Sequence, residues 1–152
     1  EVQAEKLEEL SLGSDIVLHT HELIDSRFSG ELDELKEGYA KVSLRTSDDM
    51  AVDKQGLVHG GFIFGSADFA AMAAVNDPYV VLSGATSKFL SPVRKGDTVV
   101  FEATVRHTEG RRREVNVVGN VLEVKVFEAT LKTVILEGHP LNINLMNVSK
   151  SQ

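Results

Sequence analysis

Apolar and polar residues alternate along several stretches of this 152-residue chain, with the period of two that is typical of half-buried β-strands. Residues 38–46 show the pattern clearly, because Ala40, Val42 and Leu44 alternate with polar neighbours. The stretches that we predict as strands are residues 16–24, 38–46, 79–90, 98–108, 114–121 and 124–136. Residues 109–113 (EGRRR) separate two of them and predict a charged hairpin turn.

Residues 60–76 (GGFIFGSADFAAMAAVN) break this alternation, because they are apolar or small on every face. A helix of that composition is normally buried, and the following Asp77-Pro78 ends it. Two predicted strands precede this helix and four follow it. Antiparallel strands with a single helix predict an α+β fold. We expect one long central helix wrapped by a curved antiparallel sheet of five to six strands.

The predicted helix and strands fill one domain, over residues 15–137. Residues 1–14 are acidic and predict a short helix or a tail, and residues 138–152 predict a second tail. The net charge of −7 argues against a nucleic-acid partner, and no apolar run is long enough for a membrane span. We therefore expect a cytoplasmic protein.

Asp68 is the one charged residue in the predicted helix, residues 60–76. A carboxylate is almost never buried unless it is paired or has a function. Asp68 is therefore the first candidate for a catalytic residue.

His59, Gly60 and Gly61 lie directly before this helix. The first turn of a helix has backbone N–H groups without partners, and glycines let a ligand oxygen approach them. The segment is a candidate site for a carbonyl oxygen or an oxyanion. A Gly-Gly loop that is needed only for its turn geometry is the alternative.

The spacing between Gly61 and Asp68 indicates a dimer. Seven residues span about 10 Å along a helix, whereas an oxyanion donor and a catalytic carboxylate must both lie near one carbonyl group. Two antiparallel helices from two subunits satisfy this requirement, so we expect a two-fold homodimer with paired sites across the interface.

The His59-Gly60-Gly61 motif with Asp68 nine residues after the histidine resembles the hot-dog-fold acyl-CoA thioesterases of the phenylacetate-pathway type. The segment FLSPVRKGD, residues 89–97, resembles a strand and turn of the same family. The likeness covers roughly residues 38–136. It implies the hot-dog fold, assembly as a homodimer or a dimer of dimers, an acyl-CoA substrate, and no cofactor beyond the coenzyme A of the substrate.

The resemblance also implies roles for single residues. The N–H of Gly60, with Gly61 beside it, would hold the thioester carbonyl, and Asp68 would act as a general base or as a nucleophile. Some relatives have Asn or Gln six residues before the histidine to place a water molecule, but this chain has Asp53 there. Ser83 lies near a Ser or Thr that some relatives use.

Other polar residues allow two interpretations. His59 is a catalytic base or holds the loop, and His19 with His21 forms a metal pair or two half-buried strand histidines. We expect no metal. The basic residues that could meet the phosphates of coenzyme A, or simply be solvated, are Lys88, Arg94, Lys95, Arg111, Arg112 and Arg113.

A binding protein is the second functional class. The C-terminal half, from Gly110 onward, also resembles the hot-dog effector domain of bacterial repressors of fatty-acid synthesis, which binds malonyl-CoA without hydrolysing it. Those domains usually have Asn at the position of Asp68. A hot-dog dehydratase is a third interpretation, and it would need an Asp/His pair that the sequence pattern does not reveal.

Overall fold

The computed structural model describes residues 16–143. Its two α-helices are α1 (Ser26–Ser29) and α2 (Gly60–Val75), and two 3₁₀ turns cover Asp48–Met50 and Pro140–Asn142. The six strands are β1 (Glu31–Lys36), β2 (Tyr39–Arg45), β3 (Val80–Phe89), β4 (Thr98–Glu109), β5 (Arg112–Val121) and β6 (Val124–Ile135). The predicted tails fall mostly at residues 1–15 and 144–152, outside the described residues.

The six strands form one antiparallel sheet in the order β1-β2-β4-β5-β6-β3. Strands β4, β5 and β6 are joined by hairpins, and β3 reaches the outer side of β6 after the chain has passed through α2. Strands β1 and β3 are therefore the two edges. A bulge interrupts the β3–β6 pairing between Leu82 and Gly84.

Helix α2 lies on the inner face of the sheet and forms the core with it. Five alanines of the helix are nearly inaccessible to solvent, and their small side chains let the strands approach closely. Gly119 of β5 has the same effect on the sheet, because a Cβ atom there would lie 2.9 Å from the Phe101 ring. The largest fully buried side chains of the core include Phe101, Phe127, Leu44, Met50, Met72 and Leu131.

The predicted architecture is confirmed. The helix, the hairpin and five of the predicted strands lie within a few residues of their expected positions. The alternation that predicted β2 is also the observed burial pattern, since Ala40, Val42 and Leu44 are buried.

The prediction of a first strand at residues 16–24 was wrong. This segment has no regular structure, and its backbone bonds to a helix end instead of a strand. The Asn76 side chain accepts from the His19 N–H at 2.7 Å and donates to the Val17 carbonyl at 2.9 Å. The first strand is instead β1 (Glu31–Lys36). Most of its side chains are polar and at least partly exposed to solvent, so its alternation of apolar and polar residues is weak in the sequence.

No helix among residues 16–143 is long and apolar enough to cross a bilayer.

Candidate active site on helix α2

One face of α2 is not covered by the sheet. Gly61, Phe64, Gly65 and Asp68 follow the helical period of three and four residues, so they lie along one line on the helix surface. Gly61 and Gly65 are exposed, Phe64 and Asp68 are partly exposed, and a Cβ atom at Gly65 would meet no atom within 4 Å. We call these four residues the uncovered stripe. The stripe places the glycine end of the helix and Asp68 on the same face.

Asp68 lies on the uncovered stripe with part of its carboxyl group buried. Its Oδ1 atom is buried and has no hydrogen-bond partner among the described residues. Burial raises the pKa of this carboxyl above its ordinary value, and the charge of His21 partly opposes that rise. A raised pKa in a carboxyl that is open to a ligand is typical of a catalytic acid or base.

The first turn of α2 has the donors expected of a carbonyl site. His59 occupies the N-cap position, and its side chain makes no capping hydrogen bond. The first N–H groups of a helix have no intrahelical acceptor, and no carbonyl in residues 16–143 accepts from Gly60 or Gly61. A Cβ atom at Gly60 would lie 3.4 Å from the Phe89 ring, in ordinary van der Waals contact, so the first residue of the helix lies beside this ring.

His59 is anchored through its backbone. Its N–H donates to the Met50 carbonyl at 2.8 Å, and its ring lies edge-on to Phe62 with the centroids 6.0 Å apart. A Cβ atom at Gly61 would lie 3.0 Å from Nε2 of this ring. The histidine therefore packs across the first turn of the helix, beside both glycines.

Two adjoining clefts open at the glycine end of α2. One has a volume of about 300 Å³ and is lined by apolar residues and Gly60, including Ile63, Phe89 and Val126. The other, of about 380 Å³, is polar and is lined by Asp53, Gln55 and Arg94. They share Leu57, Pro92 and Val93, so together they form a path from the helix end to the surface.

Asp53 shapes the loop before the helix. Its Oδ1 atom accepts from the backbone N–H groups of Gln55, Gly56 and Leu57 at 3.0 to 3.2 Å. A carboxylate oxygen with three donors is fully occupied, so this oxygen has no free lone pair for a water molecule. The loop geometry explains why this position has Asp.

The predicted phosphate-binding residues fall into separate places. Arg94 lines the polar cleft near Gly60, and Lys95 pairs with Asp48 at 3.1 Å. Lys88 lies in a depression with Lys125 and Glu128, on the sheet face away from α2, because the next residue, Phe89, packs inward on Phe127.

Arg111, Arg112 and Arg113 lie at the other end of the sheet. Arg112 pairs with Val134 of β6, whereas the apolar cleft contains Val126 of the same strand. Eight residues separate these positions, which is roughly 25 Å along a strand. One chain therefore does not bring the three arginines to its own Gly60. Ser83 lies at the bulge of β3, where its hydroxyl donates to the Lys132 carbonyl at 3.0 Å.

His21 is the residue near Asp68 that the sequence did not reveal. It belongs to the segment 16–24 that covers the C-terminal part of α2, and its ring lies 6.1 Å from that of Phe69. His19 points elsewhere and is exposed. No cluster of three or more His, Asp or Glu side chains that could bind a metal ion occurs in residues 16–143.

Comparison with known proteins matches the part of the chain that contains these residues. The model of the family described as "Thioesterase superfamily" matches residues 55–119, which contain the glycine loop, α2 and Asp68. The crystal structure of the uncharacterized protein PH1136 from Pyrococcus horikoshii has a TM-score of 0.83 and 43% sequence identity, and the match covers 84% of this chain and 98% of that protein. The chain belongs to the thioesterase superfamily. The predicted hot-dog fold is confirmed.

Two curated relatives are longer than this chain. A protein named methylthioribose-1-phosphate isomerase from Aquifex aeolicus is 47% identical over 119 residues, which is 78% of this chain and 26% of that protein. The transcription factor FapR of Caldanaerobacter subterraneus is 29% identical over 116 residues, 76% of this chain and 58% of that protein. This chain thus spans about a quarter of the length of the first relative and just over half of the length of the second.

Two further solved structures share the fold. The PaaI protein of the phenylacetic acid degradation operon of E. coli has a TM-score of 0.67 and 27% identity, and the match covers 74% of this chain and 83% of that one. The protein smu.793 of Streptococcus mutans, solved with bound acetyl-CoA, has a TM-score of 0.69 and 21% identity, with 80% and 98% covered.

We expect Asp68→Asn to stabilise the fold near neutral pH. Burial raises the pKa of Asp68 in the folded state, so the ionised carboxylate destabilises that state once the pH passes the ordinary value of 3.8, and the full penalty is present above the raised pKa. Each kcal/mol relieved raises Tm by about 2–4 °C in a domain of this size. Well below pH 3.8 both states are protonated and the gain disappears.

Thermal unfolding followed by circular dichroism at both pH values measures this effect. Asp49→Asn, which removes an exposed charge, is the control and leaves Tm unchanged at both. A lower Tm for Asp68→Asn at neutral pH would contradict the assignment of Asp68 as a carboxylate held at an energetic cost.

Proposed function

We propose that this protein hydrolyses the thioester bond of an acyl-CoA. The observation that supports the proposal most is Asp68, a partly buried carboxyl with a raised pKa on the uncovered stripe of an otherwise apolar helix. A partly buried charge without a partner costs folding free energy, so a purely structural role does not explain a carboxylate at this position. Membership of the thioesterase superfamily supports the same chemistry.

The backbone of Gly60 binds the carbonyl group of the thioester in this proposal. The N–H of Gly60, with that of Gly61 beside it, donates to the carbonyl oxygen, and the donors together with the helix dipole stabilise the negative charge that develops there. His59 holds the turn in place through its bond to Met50.

Asp68 promotes the attack on the carbonyl carbon. As a general base it accepts a proton from water while the water oxygen bonds to the carbon, and the C–S bond then breaks to release the coenzyme A thiol and the free acid. As a nucleophile its carboxylate oxygen bonds to the carbonyl carbon and displaces the coenzyme A thiolate, and water then hydrolyses the mixed anhydride to the free acid and the regenerated carboxylate. Both routes need the ionised carboxylate.

Two subunits form each site in this proposal. Helix α2 is continuous from Gly60 to Val75, so Gly61 and Asp68 of one chain are separated by about 10 Å. Antiparallel packing of two uncovered stripes would place Gly60 of one subunit beside Asp68 of the other. The free edge of β3 favours the same assembly, because an edge strand has unpaired N–H and C=O groups that a second copy can satisfy.

The dimer also gives the arginines a place in substrate binding. Arg111, Arg112 and Arg113 lie at the end of the sheet where α2 ends, and that end would meet the glycine end of the partner's helix. They join Arg94 around the entrance of the polar cleft, where cations suit the phosphates of coenzyme A. The binding of acetyl-CoA by smu.793 supports a coenzyme A ligand for this fold.

A non-catalytic acyl-CoA sensor is the second candidate, because the transcription factor FapR is a relative. Asp68 separates the two candidates. A sensor needs only the clefts and the basic residues, whereas hydrolysis needs the carboxylate as well.

Asp68→Asn is expected to abolish hydrolysis and to leave binding intact, since the amide cannot accept the proton or attack the carbon. Thiol release from a panel of acyl-CoA substrates measures turnover, and calorimetry with a non-hydrolysable thioether analogue measures affinity. Asp49→Asn controls for net charge. A wild-type protein that binds acyl-CoA without releasing thiol would favour the sensor.

Gly60→Pro tests the carbonyl donor. Proline is well tolerated at the first position of a helix, and His59 already has the extended conformation that precedes a proline, with φ −64° and ψ 129°. The variant removes one N–H and keeps the helix, so we expect kcat to fall on the order of a hundredfold to a thousandfold. Gly60→Ala adds a Cβ beside Phe89, retains the N–H and is the matched control. Equal losses in both variants would point to crowding at Phe89.

Mixed dimers test whether the site is shared. Chains with Asp68→Asn and chains with Gly60→Pro, each expected to retain at most about a hundredth of the activity, are co-expressed with different affinity tags and the hybrid is purified. If each site combines Gly60 of one subunit with Asp68 of the other, one site in each hybrid has both groups and activity returns. An inactive hybrid would contradict a site at the two-fold interface.

A further inference from the structure

Residues 16–24 cover the part of α2 that the sheet leaves open beyond Asp68. The Asn76 side chain holds this segment through Val17 and His19, and Thr20 is buried against the domain. The helix is thus exposed at Gly61 and Gly65, whereas this segment contacts it at Phe69 and Asn76. Asp68 lies at the boundary, where the covering segment places His21.

The His21 ring is fixed from two sides. Its Nδ1 atom is 2.7 Å from the Thr20 hydroxyl oxygen, and its ring packs against Phe69 of α2 with the centroids 6.1 Å apart. The backbone of His21 has a φ of 55°, a conformation that costs a non-glycine residue free energy and is maintained only where the surroundings fix it. A segment that only shielded the helix from solvent would not require this unfavourable backbone conformation at His21.

We propose that His21 is a positioning residue for Asp68, with its imidazole orienting the carboxylate at the end of the uncovered stripe and favouring its ionised form. This role rests on the function proposed for Asp68. If His21 has this role, residues 16–24 belong to the candidate site, although no sequence motif identifies them as site residues.

The chemistry of the pair explains how His21 acts. When Nδ1 accepts from the Thr20 hydroxyl, the proton of the neutral ring is on Nε2, and no residue in 16–143 accepts a hydrogen bond from Nε2. The Oδ1 atom of Asp68 is buried and has no hydrogen-bond partner in residues 16–143, so it can accept from Nε2 through one bridging water molecule. A charged imidazole opposes the effect of burial and lowers the pKa of Asp68, which increases the fraction of active carboxylate.

Other ionisable groups near this boundary are exposed to solvent or bonded to other residues. His19 and Glu22, on the same segment as His21, are exposed. Asp77, after the helix, accepts from the Tyr79 N–H at 2.9 Å. His21 is the titratable group whose charge acts on Asp68 within residues 16–143.

The kinetic test compares His21→Gln with His19→Gln. Glutamine keeps a hydrogen-bonding group and cannot carry the positive charge, and His19 is a matched control because it is bound through its backbone N–H. We expect His21→Gln to lower kcat by on the order of tenfold to a hundredfold with little change in KM, and to shift the acidic limb of the pH profile to higher pH. His19→Gln should leave both unchanged, and identical profiles for the two variants would overturn the proposal.

A titration of Asp68 tests the pairing without any catalytic assay. Aspartate is labelled with ¹³C at the carboxyl carbon, and the Asp68→Asn variant identifies the Asp68 signal. The midpoint should move to higher pH in His21→Gln and stay in place in His19→Gln. Thr20→Val, which leaves the imidazole and removes its hydroxyl partner, should move it in the same direction and replaces His21→Gln if that variant does not fold.

The two tests separate the two proposals. The Asp68 titration midpoint could move in His21→Gln while the wild-type protein shows no thioesterase activity. That result would support the pairing and reject the proposed function. A midpoint that does not respond to His21→Gln overturns the positioning role, whatever the activity of the protein.

Discussion

The close approach of helix α2 to the sheet is the constraint on which the rest of the structure depends. The alanines of the helix are small enough for the strands to close around it, and the glycine of β5 leaves room for two phenylalanine rings. Since the sheet covers most of the helix, only one narrow face is left for a ligand or a second subunit. The position of the site is thus a consequence of packing.

The sequence predicted this frame well because its signals are local. A period of two marked β2 and the long hairpins, and the lack of any polar face marked α2. Residues 16–24 misled the same reasoning, since their apolar residues have the composition of a strand but cover a helix end through the Asn76 side chain. The hydrogen bonds from the Asn76 side chain to the backbone of Val17 and His19 join residues almost sixty positions apart. Such bonds produce no periodic pattern in the sequence.

The site was predictable to the same extent. Asp68 and the two glycines stood out because each is unusual in its own segment, and the structure places them on one face of one helix. His21 could not be found in this way, because its role depends on the path of a segment without regular structure. Asp53 shows the opposite case, a departure from relatives that a set of loop hydrogen bonds explains.

Asp53 and Asp68 differ in what they contribute to the fold, and this difference bears on how such proteins diverge. The loop before α2 depends on Asp53, whose carboxylate oxygen has three donors. The buried Oδ1 atom of Asp68 has no hydrogen-bond partner in residues 16–143, and burial opposes the ionised form of the carboxyl group. In the proposed mechanism, a single base change that replaces Asp68 by Asn would remove the catalytic group and leave the clefts that would bind the ligand. The architecture makes that transition easy in one direction, whereas the return requires the fold to accept a buried charge again.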